Sequence, residues 1–320
     1  MGICLFQIRT GKRTFCDSHL TNFSIQFLLH LLLYEVYMNA IKIDTPLEYS
    51  IAVTEFLSDN PNANCVIIAS ATGVKQNYYQ NFSKFLSKNN YSVFTFDYGG
   101  IGDSKIQSLS KFSTTASNWA QNDFESVVKH VKNKNPNSKL FIITHSIGGQ
   151  LIGLVPSNNL FDGVIMVASQ SGSWIHWKGF DRLKMKFLWY VIIPSFCRIF
   201  NYLPSSHFTR MEDLPKGMAL EWAKWCKKPN YHFDSIENVK ESYDKIKCQI
   251  KSYSIDNDFY ATVPAINWIV SQFKNAEVTR THLKAEEFGV KDIGHFGFFK
   301  KIFKESIWEL FLKDLRKFEN

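Results

Sequence analysis

Residues 141–150 read Phe-Ile-Ile-Thr-His-Ser-Ile-Gly-Gly-Gln, and their pattern decides the fold. The unbroken apolar run before Thr144 predicts a strand buried on both faces. From Ile147 to Leu154 the chain reads as helix. A strand-to-helix turn centred on Ser146 would lift its hydroxyl above the sheet on strained backbone. Such strain typically costs about 1–3 kcal/mol and is held by surrounding packing. Gly148 fits this reading, because a side chain two residues after the serine would strike the strand. The plainer alternative is a strand end with a serine helix cap, a common use of Ser. The exposed-nucleophile motif is G-x-S-x-G; Thr144, small but β-branched, stands at its first position.

Outward from this run the chain alternates apolar stretches with amphipathic ones. Residues 65–70, 91–96, 139–144 and 161–168 read as buried strands, and 49–56 as a strand with one exposed face. Helical patterning follows through Tyr78, Phe82, Phe85 and Leu86, and again over 118–133. Strand-like segments at 250–255 and 278–283 flank a helix at 263–273. Alternation of this kind implies a mostly parallel sheet with helices on both faces. Right-handed crossovers then set the strand C-termini along one edge, where ligands bind. Residues 171–245 break the rhythm; rich in tryptophan (Trp174, Trp177, Trp189, Trp222, Trp225), they read as a helical lid inserted at that edge.

The chain has 320 residues, 45% of them hydrophobic and 15% aromatic, which is enough apolar material for a sizeable core and excludes disorder as the main state. Its net charge of +8 comes from dispersed lysines. The densest basic stretch, Lys224 to Lys228, reads as the polar side of a helix, so nucleic acid is not an expected partner. Six cysteines without a C-x-x-C pair or zinc spacing predict neither metal nor disulfide scaffold, but free thiols in the cytoplasm. The glycine-rich run from Gly99 to Lys105 lacks the third glycine of a dinucleotide fingerprint, and no cofactor is expected. Residues 1–37 read as an extension. Arg9, Lys12 and Arg13 precede an apolar run, 23–37, too short for an ordinary membrane span. It reads as an amphipathic helix, as residues ahead of a true start at Met38, or as a membrane-surface anchor. A second apolar run, 186–200, contains Pro194 and Arg198 and fits a buried or lipid-facing lid helix better than a span.

Five ordered segments carry a resemblance. They are A-T-G-V-K-Q-N-Y-Y (71–79), F-D-Y-G-G-I-G-D-S (96–104), T-H-S-I-G-G-Q (144–150), E-W-A-K-W-C-K-K-P-N-Y (221–231) and I-G-H-F-G-F-F (293–299). From about residue 41 to 318 the chain resembles the α/β-hydrolase superfamily, and within it the bacterial hydrolases grouped with serine aminopeptidase-like and lysophospholipase-like proteins. The resemblance implies an α/β-hydrolase fold with an inserted helical lid, and a Ser-Asp-His triad. Ser146 would be the nucleophile. His295, in a glycine-bounded loop after the last strand, would be the base, and the chain order Ser, Asp, His is satisfied. The acid is Asp258 if Thr262 stands where related sequences often carry Pro, or Asp256 if the strand ends two residues earlier. Oxyanion donors would be the backbone N–H groups of Ile147 and, counting back from Asp97, Thr72. His145 should point away from the serine hydroxyl.

These readings lead to a metal-independent serine hydrolase acting on a small, apolar acyl substrate. An acyltransferase on the same fold, or a non-catalytic binding protein, are the alternatives. Aminopeptidase action would need an acid for the substrate amine, and the lid offers Asp181, Glu212, Asp213 and Glu221. Membrane-surface contact is expected, if anywhere, through 23–37 or the lid, which would make the protein peripheral to a membrane.

Overall fold

The computed structural model describes residues 38–320, so the N-terminal extension and its apolar run lie outside the described residues. Strand β1 (Met38–Asp44) alternates exposed and half-buried residues, as an edge strand should, and β2 (Ser50–Phe56) begins to close over the core. The central strands β3 (Asn64–Ala69), β4 (Tyr91–Phe96), β5 (Leu140–His145) and β6 (Gly163–Val167) are buried almost throughout, which is why they read as continuous apolar runs. Two-residue strands β7 (Tyr202–Leu203) and β8 (Leu214–Pro215) pair with each other outside the main sheet. Strands β9 (Gln249–Ile255) and β10 (Val278–Leu283) complete an eight-stranded sheet of order β1-β2-β4-β3-β5-β6-β9-β10.

Within this sheet β2 alone runs against its neighbours; every other pairing is parallel. From β3 the chain moves outward to β4, then returns past β3 to β5 and continues the opposite way. The strand order therefore reverses between β3 and β5, and their C-terminal ends flank the crevice where open α/β sheets bind ligands. The loop with Thr72 leaves β3 there, and the turn with Ser146 leaves β5. Residues 168–248, the segment inserted between β6 and β9, are mostly helical. Pro194 stands in the first turn of the helix Ile193–Phe200, where a missing N–H costs least, and a π-type segment at Leu188–Ile192 precedes it. No helix among the described residues is long and apolar enough to cross a membrane.

Asp123 fixes the glycine turn after β4. Its Oδ1 accepts from the Tyr49 hydroxyl at 2.5 Å and its Oδ2 from the Gly99 N–H at 2.7 Å. Burial pushes this carboxyl up to about 7, against the donors that favour the ionised form. Because the folded value lies above the unfolded one, the unfolded chain loses this proton near pH 4 and the folded chain keeps it until near pH 7. Stability from this group is thus full below pH 4 and lost as pH rises through 7, by roughly 4 kcal/mol in total. Asp123→Asn should flatten that part of the dependence when urea unfolding is compared at pH 5 and pH 8. Equal pH slopes for the two proteins would refute the assignment.

Candidate active site

Ser146 adopts φ 52° and ψ −114°, the left-handed region that an ordinary helix cap does not need. Its N–H donates to the Val167 carbonyl at 3.0 Å and its carbonyl accepts from the Gly149 N–H at 3.1 Å, so β6 on one side and the following helix on the other pin the turn. The glycines are there because nothing larger fits. A Cβ on Gly148 would lie 2.5 Å from the Ala69 carbonyl oxygen of β3, and one on Gly149 would lie 2.2 Å from Ser169 Oγ. Thr144, the departure from the motif, is fully buried with its Oγ1 3.1 Å from Ser169 Oγ. A Cβ at 149 would crowd that same Oγ1 at 2.8 Å, so Gly149 and Ser169 together make room for the β-branch.

The two candidate acids separate cleanly. Asp258 is buried, and its Oδ2 lies 2.8 Å from His295 Nδ1. Its Oδ1 accepts from the N–H groups of Tyr260 and Ala261 at 2.9 and 3.0 Å. Asp256 instead accepts from the Ala285 N–H at 3.1 Å and ties β9 to the loop after β10. Thr262 is not inside the helix but caps it: its Oγ1 accepts from Ala265 N–H ahead of the helix Val263–Val270. The imidazole of His295 packs beside that of His145 with ring centroids 5.2 Å apart, which sets the histidine loop against the residue preceding Ser146. Ser146 Oγ itself makes no hydrogen bond among the described residues. Serine–histidine contacts of this kind often tighten only when substrate is bound.

His145 spends both ring nitrogens on groups other than the serine hydroxyl and has a role the sequence did not show. Burial, reinforced by the neighbouring His295, holds it far below the usual imidazole value, so the ring is neutral. Its Nε2 donates to the His295 carbonyl at 2.9 Å, which leaves Nδ1 to accept from the Tyr79 hydroxyl at 2.8 Å. Tyr79 in turn accepts from the Ala71 N–H at 3.0 Å. One chain of bonds thus joins the loop bearing Thr72, the strand before Ser146 and the loop bearing His295. Tyr78 adds a second tie, donating to the Phe296 carbonyl. The adjacent tyrosines were the available signal in the sequence; their partners, far along the chain, were not.

The Asp97 turn braces the same loop from the other side. Its buried carboxylate accepts from the N–H groups of Gln76 and Asp103 at 2.7 and 3.0 Å. Glu212, from the insertion, pairs with Lys75 at 2.9 Å and accepts from the Gly102 N–H at 2.8 Å, while its own N–H donates to the Gly73 carbonyl at 2.8 Å. Further along, Tyr231 and Tyr243 bond the side chain and backbone of Gln150 in the helix after Ser146, at 2.5 and 2.6 Å. The insertion is therefore fastened to both sides of the crevice. Among the described residues no cluster of three or more His, Cys, Asp and Glu side chains is placed to hold a metal ion.

The model of the serine aminopeptidase S33 family of hydrolases matches residues 60–213. No curated protein matches the chain in sequence. Solved structures do. A highly thermostable carboxyl esterase from Bacillus coagulans superposes with a TM-score of 0.59 at 11% identity, covering 88% of this chain and 98% of that one. An esterase from Pyrococcus furiosus gives 0.56 at 15% identity, over 89% and 93%. Est1E from Butyrivibrio proteoclasticus, solved with ferulic acid bound, gives 0.56 at 15% identity, over 87% and 100%. At such identities the likeness speaks for the fold alone. With the family match spanning the crevice loops, the chain has the α/β-hydrolase fold.

Proposed function

We propose that this hydrolase is a serine esterase that cleaves small, apolar acyl esters through Ser146, His295 and Asp258. The observation that carries the reading is the 2.8 Å bond from Asp258 Oδ2 to His295 Nδ1, with Asp258 Oδ1 held by two backbone N–H groups. Held so, the carboxylate keeps the imidazole with its proton on Nδ1 and leaves Nε2 free to accept one. Nε2 takes the proton of Ser146 as Oγ attacks the ester carbonyl, then returns it to the leaving alkoxide. The N–H groups of Ile147 and Thr72 are assigned to the developing oxyanion, each worth roughly 2.7–4 kcal/mol in the transition state. Water, deprotonated by the same histidine, releases the acid from the acyl-enzyme.

The occupied acids of the insertion favour an ester over a peptide amine. Glu212 is paired with Lys75, Glu221 accepts from the Ser117 N–H and hydroxyl, Asp213 accepts from the Ser206 N–H, and Asp181 pairs with Lys184. The insertion, 171–245, then serves as a lid over the crevice. All four cysteines among the described residues are unpaired, which favours a reducing, cytoplasmic setting. The test is a panel of p-nitrophenyl esters from acetyl to decanoyl beside amino-acyl p-nitroanilides, with a primary alcohol added in parallel. Ester turnover with free acid as product, and little or no anilide cleavage, is the expected outcome. Anilide cleavage at rates matching the esters would return the aminopeptidase reading; acyl transfer to the alcohol at the expense of free acid would make the protein an acyltransferase.

A further inference from the structure

The helical arm of the insertion, residues 179–200, has two opposed apolar stripes. Met185, Trp189, Ile193 and Cys197 recur every fourth residue and are buried, with Trp189 packed edge-on against Trp222 at 4.9 Å. On the other side Phe180, Leu183, Phe187, Val191 and Ile199 recur at intervals of three, four, four and eight. They are exposed, Phe180 to 72% and Ile199 to 70%. Both stripes run from the helix Gly179–Phe187 through the π-type segment Leu188–Ile192 into the helix Ile193–Phe200. Phe208, 68% exposed, extends the outer stripe by stacking on Phe196 with centroids 5.4 Å apart. A run of large exposed side chains this long is unusual on a soluble surface and marks something it contacts.

The charges around the stripe identify the contact. Between residues 178 and 200 stand five cations (Lys178, Arg182, Lys184, Lys186, Arg198) and one acid, Asp181, a local excess of four positive charges. Asp181 is itself paired with Lys184. The lysines hug aromatic rings: Lys184 Nζ lies 5.0 Å from the Phe180 centroid, Lys186 Nζ 3.8 Å from Trp174, and Lys227 Nζ 5.1 Å from Tyr190. An apolar stripe rimmed by cations along a helix is the form that lies in the plane of a bilayer interface, with rings among the acyl chains and ammonium groups at the phosphates. A surface for a second copy of this chain would bring two such positive rims together.

We infer that this outer face of residues 179–200 docks the protein on an anionic lipid surface. The inference concerns the arm alone and holds whether or not Ser146 is the nucleophile. In flotation assays the full chain should bind vesicles of phosphatidylcholine with a quarter phosphatidylglycerol, bind pure phosphatidylcholine vesicles less, and release in high salt. The triple substitution Phe180→Ser, Leu183→Ser, Phe187→Ser should weaken binding to the mixed vesicles by roughly tenfold or more. Lys178→Glu with Lys186→Glu should abolish the preference for the anionic lipid. Unchanged circular dichroism and unchanged hydrolysis of a water-soluble ester by these variants would separate the docking surface from the fold and from the chemistry. The inference is overturned if the wild-type chain binds neither vesicle, or if the triple variant binds the mixed vesicles as well as wild type. It is equally overturned if sedimentation shows a wild-type dimer that the triple variant breaks while vesicle binding stays absent.

Discussion

Ser146→Ala is expected to lower kcat for ester hydrolysis by about 10⁵–10⁶, the scale seen when a triad serine is removed. The size follows from what the hydroxyl does and from what remains without it. The Ile147 and Thr72 N–H groups proposed for the oxyanion are untouched by the substitution, so a residual rate of about 10³–10⁴ over water is expected. The substitution should cost the fold little. Ser146 Oγ bonds no described residue, and the turn is held by backbone bonds to Val167 and Gly149 that alanine also makes. Alanine is no more strained than serine at φ 52°. Substrate turnover and the melting temperature measured together check this: a large loss of the first with little change in the second is the expected pair.

The second large effect separates the neighbouring aspartates. Asp258→Asn should reduce kcat by about 10⁴, as loss of the orienting carboxylate does in other triads. An asparagine there still accepts the Tyr260 and Ala261 N–H groups through its oxygen. Its NH₂ would then face His295 Nδ1, at the position where Oδ2 now lies 2.8 Å away. Two donors cannot share that contact, so the ring must move its proton to Nε2, which can then no longer accept from the serine. Asp256→Asn should stay within about tenfold of wild type, because the amide oxygen still accepts the Ala285 N–H. Steady-state kinetics on both variants decide the matter, with KM for the ester changed little in either. Equal losses in the two would mean the acid has been misassigned.

What was legible in the sequence was whatever burial imposes on composition. Strands β3 to β6 are covered on both faces, so nearly every residue had to be apolar or small, and their positions were readable within a residue or two. The elbow was readable because the close approach of Ala69 and Ser169 tolerates nothing beyond glycine at 148 and 149. Strand β1 was not: its buried side is only half-covered, so its alternation is weak, and it starts directly after the N-terminal extension, at Met38. The reversal of β2 also leaves no mark on composition. Asp256 and Asp258 looked alike because both end one strand; the turn that folds Tyr260 and Ala261 back onto Asp258 distinguishes them, and that turn is a backbone property. The Tyr79–His145–His295 chain was invisible for a different reason. It joins residues 66 and 150 positions apart, and no local spacing encodes such a contact.

An activated serine at residue 146 is the claim on which the proposed esterase chemistry depends, and a fluorophosphonate tests it without knowledge of the substrate. The phosphorus of the probe is attacked by the serine oxygen, fluoride leaves, and a stable phosphonate ester remains. With purified full-length protein and intact-mass detection, wild type should gain one adduct, digestion should place it on the peptide containing Ser146, and Ser146→Ala should gain none. A folded wild-type protein that stays unlabelled, or a Ser146→Ala variant labelled as fast as wild type, would contradict the account.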